Sequence, residues 1–210
     1  MLDIIVCDDH PVVREGLARI IQSNMSVVRV READSGQMLI DLLRQESSDL
    51  VLLDVTLPGR GGIEVLRQLK QERPRVPVLV LSVHPADQYA VRALRAGASG
   101  YLTKDLAAEE LVTAVRLVTQ GQRYLTPAVA DRLADALENP VNRLPHEELS
   151  DREFQVLSLL GAGKKVSQIA DELCLSYNTI STYRARIFAK LGIKNDVQLV
   201  RYALQHGITE

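Results

Sequence analysis

"DLVLLDVTLPGRGG", residues 49–62, decides the reading of the first half of the chain. Leu50 to Leu53 form an uninterrupted apolar run that ends on one carboxylate, Asp54. Pro58 and the glycines at 59, 61 and 62 follow at once. A run this short, apolar at every position and closed by turn formers, reads as a strand buried on both faces. The glycines let the backbone turn sharply and leave a carbonyl such as that of Thr56 free. The strand is a rigid mount for one acid at its tip.

The same grammar repeats on either side. Strands are expected at Asp3–Cys7, 27–31, Leu50–Asp54, Pro77–Ser82 and Gly100–Thr103. Helical periodicity follows each, near Pro11–Gln22, Gly36–Gln45, Gly62–Glu72, Ala86–Ala96 and Ala107–Gln120. Leu39, Leu42 and Leu43 show the spacing of one buried helix face. Five strand–helix units predict an α/β domain, a five-stranded parallel sheet with helices on both faces and right-handed crossovers.

The character changes after Gly121. Residues 122–145 contain Pro127, Pro140 and Pro145 and read as a linker with a short helix near Val129–Glu138. From 146 to 210 the pattern is all-α. "LSDREFQVLSLLGAG" offers Leu149, Phe154, Val156, Leu157 and Leu160 as core, and Ser150 three residues before Glu153 reads as a capping box. Helices at Val166–Leu173, Tyr177–Leu191 and Asp196–His206 complete a four-helix domain.

Bulk composition sets outer limits. The chain has 210 residues, 46% apolar and 25% charged, with a formal net charge of −2, so any basic surface must be local. No apolar run approaches the ~20 residues of a membrane span, and the first ten residues carry acids where a secretory signal carries basic residues. These features predict a cytoplasmic protein with no membrane partner. Cys7 and Cys174 both sit in apolar patterns and are expected to be buried free thiols.

Ligands of open parallel sheets bind beyond the carboxyl ends of the strands. Asp8 and Asp9 follow the first strand, Asp54 ends the third, Ser82 the fourth, and Lys104 follows the fifth. Clustered carboxylates call for a hard cation, and oxygen donors suit Mg2+. A carboxylate so placed is also a nucleophile able to form an aspartyl phosphate, with a hydroxyl and an ammonium at hand for the phosphoryl oxygens.

Here the sequence resembles a known family. "VCDDHPVVREGL", "LLDVTLPGRGGIEVL", "VLVLSVH" and "AGASGYLTKD" are similar to a response-regulator receiver domain over residues 1–121. The resemblance implies a flavodoxin-like sheet of order 2-1-3-4-5. It implies Asp54 as phosphoacceptor, and Asp8, Asp9, Asp54 and the Thr56 carbonyl as Mg2+ ligands. Ser82 and Lys104 would contact the phosphoryl group, and Tyr101 would be the aromatic that turns inward with the switch. Gly61 stands where many relatives have an acid, which is expected to loosen the turn. Val83 is larger than the usual small residue and is expected to narrow access to Asp54 and slow dephosphorylation.

In "LCLSYNTISTYRARIFAKLGI" two helices meet at a turn, with Ser176 as cap of the second. One face of that helix carries Ile180, Ile187 and Leu191, flanked by Tyr183 and Arg184. The opposite face carries Asn178, Ser181, Thr182, Ala185, Arg186 and Ala189, small and polar as a helix in a major groove requires. From Lys164 to Arg201 seven basic residues stand against three acids, the only local electrostatic footprint for nucleic acid. The segment 149–200 resembles the LuxR-type helix-turn-helix. The two resemblances together imply a regulator of the NarL/FixJ class that binds double-stranded DNA through Asn178, Thr179, Ser181, Thr182, Ala185, Arg186 and Lys190. Departures are Ser181 in place of a basic residue, Tyr183 in place of His, and the order Lys165, Val166, Ser167 at the start of the scaffold helix. In the last helix Val197, Val200 and Leu204 form a stripe that either pairs two modules or serves the fold.

The implied function is a transcription factor, not an enzyme, that takes a phosphoryl group from a sensor histidine kinase and acts as a homodimer. An aspartyl-intermediate phosphatase is disfavoured because Thr56 stands where a general acid would be needed. A phosphorylation-independent regulator would have no use for the complete set Asp8, Asp9, Asp54, Ser82 and Lys104.

Overall fold

The computed structural model describes residues 1–26, 28–82, 86–105, 107–138 and 144–209. The chain packs as two units, Met1–Ala134 and Asp135–Glu210.

The first unit alternates strand and helix: β1 (Leu2–Cys7), α1 (Pro11–Asn24), β2 (Val28–Ala33), α2 (Gly36–Gln45), β3 (Leu50–Asp54), α3 (Gly62–Glu72), β4 (Val78–Ser82), α4 (Ala86–Arg95), β5 (Gly100–Thr103) and α5 (Ala108–Thr119). The five strands pair in parallel in the order β2-β1-β3-β4-β5. Register places Cys7 beside Leu53, Asp54 beside Leu81 and Ser82 beside Thr103, so the carboxyl ends of the strands lie level. Every residue of β3 and β4 is buried, the mark of central strands covered on both sides. On one side Ile4, Val6, Leu50, Leu52, Leu79 and Leu81 meet Leu111, Val115 and Val118 of α5 and Ile21 of α1. Each fully buried leucine contributes about 1.5–3 kcal/mol.

The boundaries shift where chemistry outweighs pattern. β2 continues to Ala33, past the expected Arg31, because its ladder with β1 runs on to the Cys7–Ala33 pair. The residue at 27 lies outside the described residues, as does Val83. A sixth helix, α6 (Pro127–Glu138), begins two residues earlier than periodicity suggests. Pro127 needs no amide partner at a helix start, and Thr126 accepts from the Val129 amide through its hydroxyl at 3.4 Å.

The second unit holds a 3-10 turn (Pro145–Glu148) and helices α7 (Asp151–Gly161), α8 (Val166–Glu172), α9 (Tyr177–Leu191) and α10 (Asp196–Gln205). Ser150 and Glu153 form the expected capping box: Ser150 Oγ accepts from the Glu153 amide at 3.3 Å, and Glu153 Oε2 accepts from the Ser150 amide at 2.8 Å. Leu149, Phe154, Val156, Leu157 and Leu160 are all buried, together with Ile169, Ile180, Ile187, Leu199 and Ala203. Among the described residues no helix is long and apolar enough to cross a membrane.

Cys7 is buried as expected, but Cys174 is exposed. The turn from α8 to α9 requires one residue in the left-handed region, and Cys174 takes it, with φ of 51°. Its side chain therefore leaves the apolar pattern, while Leu173 before it fills the core.

Candidate functional site

Three strand ends build an acidic cleft. Asp8, just past β1, and Asp54, the last residue of β3, are each only 1% exposed, and Asp9 is half-buried. Ligand atoms of Asp8, Asp9, His10 and Asp54 all lie within 4.8 Å of one another. Lys104, just past β5, reaches across with Nζ 2.5 Å from Asp8 Oδ2 and 2.8 Å from Asp54 Oδ2. Lys104 apart, both of those buried oxygens have no partner among the described residues.

Charge decides what this cleft accepts. Three carboxylates face one ammonium, and the lone pairs left over are buried oxygen. Uncompensated buried charge is costly, and a divalent cation with a preference for oxygen offsets the remainder. The donor set fits Mg2+. Burial raises the Asp54 carboxyl, Lys104 pulls it back and the Asp8 charge adds to the rise, so that it is pushed up to about 6 on balance. Burial works to lower the Lys104 ammonium, but Asp54 and Asp8 outweigh it and hold it above its ordinary value. Behind the acids, burial first and then the charges of Asp54 and Asp8 drive the Cys7 thiol far up. It remains a protonated, inert group.

The turn after β3 is shaped by close approach. Thr56, half-buried, donates its amide to Asp54 Oδ1 at 3.1 Å. A Cβ on Gly62 would stand 2.0 Å from the Asp54 carbonyl oxygen, so only glycine lets α3 start there. Gly61 is the cap of α3 and brings no side-chain hydrogen bond, which is what the loss of an acid at this position entails.

Ser82 and Tyr101 complete the cleft on the β4–β5 side. Both are fully buried, and the Ser82 hydroxyl is hydrogen-bonded to the Tyr101 phenol, which burial raises well above its ordinary value. Tyr101 thus points inward, on a strand whose next turn carries Lys104.

Two neighbours escape a reading by sequence. His10 places Nδ1 2.8 Å from Asp9 Oδ1 and 3.3 Å from Asp8 Oδ1, and its amide donates to Asp8 Oδ1 at 2.9 Å. Arg14 donates to the Asp8 carbonyl at 2.7 Å and pairs with Glu32. The signal for His10 was its adjacency to the acid pair; Arg14 is one helical turn further on and gave none.

In the second unit α9 presents the expected two faces. Ile180 and Ile187 are buried and Leu191 half-buried, while Asn178, Thr182, Ala185, Arg186 and Ala189 are exposed and Thr179 and Ser181 half-buried. Ser176 caps the helix through the Thr179 amide at 3.1 Å, and Thr182 donates to the Asn178 carbonyl at 2.8 Å. The charges are used unevenly. Arg184 forks onto Asp196 at 2.7 and 2.8 Å and lies 4.4 Å over the Phe188 ring. Lys164 pairs with Glu172 at 2.5 Å. Lys190 places Nζ 2.6 Å from Oε2 of the buried Glu153. Burial works against the Glu153 charge, but Lys190 and Ser150 together outweigh it and hold the carboxyl below its ordinary value. Among the described residues no acid is paired with Lys165, Arg186, Lys194 or Arg201. The stripe on α10 faces outward: Val197 is 78% and Leu204 52% exposed, with Val200 half-buried. The fold is served by Leu199 and Ala203 instead.

Known proteins align with both units. The response regulator receiver domain family matches residues 4–116, and the luxR family of bacterial regulatory proteins matches residues 147–203. The response regulator GacA of Pseudomonas viridiflava is 41% identical over 211 residues, covering 100% of this chain and 99% of that protein. The response regulator UvrY of Escherichia coli (strain K12) is 36% identical, covering 99% and 96%. Among solved structures, RcsB from Salmonella enterica serovar Typhimurium bound to promoter rprA with the phosphomimetic BeF3- superposes with a TM-score of 0.66. It is 25% identical, with 96% of this chain and 97% of that one covered. A LuxR-family two-component response regulator from Aurantimonas sp. SI85-9A1 gives 0.60 at 36% identity, over 65% of this chain and 97% of that one.

Proposed function

The chain belongs to the two-component response regulators that join a receiver domain to a luxR-family DNA-binding module, and from this premise we propose that phosphorylation of Asp54 switches its binding to promoter DNA. The observation that carries the reading is the meeting of Asp8, Asp9, Asp54 and Lys104 at one sheet edge, with two buried carboxylate oxygens that among the described residues meet only Lys104.

The chemistry follows from that arrangement. A carboxylate oxygen of Asp54 attacks the phosphorus of a phosphohistidine on a sensor kinase. The new P–O bond forms as the P–N bond breaks, and the imidazole leaves with the electron pair. Asp8, Asp9, Asp54 and the Thr56 carbonyl would hold Mg2+, whose positive charge would offset that of the phosphoryl oxygens. Thr56 keeps Asp54 in place through its amide. Lys104, now bridging Asp8 and Asp54, moves its ammonium onto the added oxygens. Ser82 turns its hydroxyl to the same group, which deprives Tyr101 of its partner. The region around β4 and β5 then has two states, and the phosphoryl group favours one of them.

The output surface is α9, laid in the major groove with Asn178, Thr182, Ala185 and Arg186 outward and Thr179, Ser181 and Lys190 beside them. The outward stripe of Val197, Val200 and Leu204 pairs two modules, and a dimer reads half-sites about one DNA turn apart. The protein works in the cytoplasm. The organisation we assign is receiver 1–121, linker 122–145 and DNA-binding module 146–210.

The test uses the whole protein, wild type and Asp54→Ala, with acetyl phosphate and Mg2+. DNA fragments enriched from the genome by the protein serve as probe, and light scattering gives the mass. Tighter binding and a doubled mass in the wild type alone support the reading. Binding by the wild type that ignores the donor overturns it.

A further inference from the structure

The chain beyond α5 does not leave the first unit directly. It folds back along the outer edge of β5, where Gly100 and Tyr124 form a parallel bridge. The Tyr124 amide donates to the Ser99 carbonyl at 3.0 Å, and its phenol donates to Glu110 Oε1 of α5 at 2.9 Å. The ring packs against the core cluster that contains Leu79 and Leu111. A Cβ on Gly100 would stand 2.6 Å from the Tyr124 carbonyl oxygen, so the absence of a side chain at Gly100 is what admits the segment. Burial first, and then Glu110, push the Tyr124 phenol up to about 12; it is a proton donor throughout the physiological range.

β5 also carries the far wall of the acidic cleft. Gly100 is followed by Tyr101, bonded to Ser82, and the strand leads into Lys104, which spans Asp8 and Asp54. Three residues beyond Tyr124 the chain enters α6 at Pro127. We propose that Tyr124 is a positioning residue of the switch, tying the state of β5 to the segment that leads toward the DNA-binding module. This rests on the phosphorylation reading above.

The geometry gives the coupling a physical form. β5 is four residues long, so a shift of Lys104 and Tyr101 displaces a short stiff strand rather than fading along it. Tyr124 is held at two points, by its backbone to β5 and by its hydroxyl to α5. A movement of β5 against α5 cannot keep both. On this proposal the segment takes a second seating when one of the two ties is released, and interfaces with two seatings amplify small displacements.

The test compares full-length wild type, Tyr124→Phe, Glu110→Ala and Glu110→Gln. Two quantities are read with acetyl phosphate and Mg2+: the amount and lifetime of the aspartyl phosphate, and the ratio of affinities with and without donor for DNA fragments selected by the wild type. Tyr124→Phe and Glu110→Ala are expected to take and hold the phosphoryl group as the wild type does. Their affinity ratio falls below about threefold, from the roughly 5–150-fold of ordinary allosteric coupling. Glu110→Gln, whose amide oxygen still accepts from the phenol, keeps the ratio. A Tyr124→Phe protein with the full ratio overturns the proposal. So does one that loses phosphorylation itself, since Tyr124 would then act on the cleft. A wild type that ignores the donor brings down the phosphorylation reading, and this coupling with it. A responsive wild type with an equally responsive Tyr124→Phe brings down the coupling alone.

Discussion

Lys190 lies near the end of α9 with its ammonium 2.6 Å from Oε2 of Glu153, a carboxylate of α7 that is 4% exposed. Arg184 is likewise committed, to Asp196 at the start of α10. The helix we assign to DNA is therefore braced in its C-terminal half by two of its three basic side chains, and Arg186 is the third. Bracing and phosphate contact are separable by measurement.

Lys190→Met leaves the buried Glu153 carboxylate to the Ser150 amide alone, without its counter-charge. The expected loss is about 1 kcal/mol, the low end of the cost of under-satisfying a buried polar group, because the Ser150 bond remains and Lys190 is partly exposed. Urea denaturation that monitors the C-terminal module reads it. DNA affinity falls with the module's stability, but the slope of log affinity against log salt stays the same. Arg186→Met leaves stability unchanged and lowers that slope by about one. If Lys190→Met lowers the slope by the same amount with no loss of stability, its ammonium belongs to phosphate and the brace is incidental.

Glu153 also gives the module an acid limit. Its folded carboxyl titrates below its unfolded value, so its contribution is fully present above the unfolded value of about 4.3. It is lost as pH falls through the depressed folded value. The urea midpoint of the C-terminal module is expected to hold from neutral pH to about 5 and then decline. Glu153→Gln starts lower and declines less. Parallel curves for the two proteins would assign the acid limit to other groups.

Lys104 neutralises part of a three-carboxylate cleft. Lys104→Met leaves more negative charge for the same cation. Binding of Mn2+, read by its electron paramagnetic resonance as a substitute for Mg2+, is expected to tighten several-fold, of the order of the ~1 kcal/mol of a partly screened charge pair. Aspartyl phosphate formed from acetyl phosphate falls in the same protein. Weaker Mn2+ binding in Lys104→Met would mean that the lysine organises the acids instead of competing for them.

Two glycines should respond in opposite directions to alanine. At Gly62 the added Cβ meets the Asp54 carbonyl oxygen at 2.0 Å, and at Gly16 it meets nothing within 4 Å. Gly62→Ala is expected to cost about 1–3 kcal/mol by overpacking and to slow phosphorylation by displacing Asp54. Gly16, within α1 and exposed, is expected to gain up to about 1 kcal/mol as Ala through helix propensity. Thermal unfolding of the two variants decides both, and a stable, fully phosphorylated Gly62→Ala would refute the close approach.

The alternating strands and helices, the acids at strand ends, the capping box of Ser150 and Glu153 and the outward face of α9 are local patterns. Period, turn chemistry and caps act over a few residues, so the sequence by itself determined them. Asp54 at the tip of an all-apolar run was legible for the same reason, and so was its meeting with Asp8, once parallel pairing put the strand ends level. What only the tertiary structure decided lies in contacts between distant segments. Glu153 showed its capping role three residues away but not the Lys190 ammonium 37 residues on. The α10 stripe left open whether it pairs two modules or serves the fold; Leu199 and Ala203 fill the core and Val197 and Leu204 stay out, because periodicity fixes which residues share a face and packing chooses which face is covered. Cys174 sat in an apolar pattern, and the left-handed turn it must make turned it to solvent. Residues 122–126, read as linker, are held to β5 and α5 through Tyr124. A single backbone bridge and one phenol hydrogen bond leave no periodic trace in a sequence; they exist only because the sheet edge and the helix stand at the right separation.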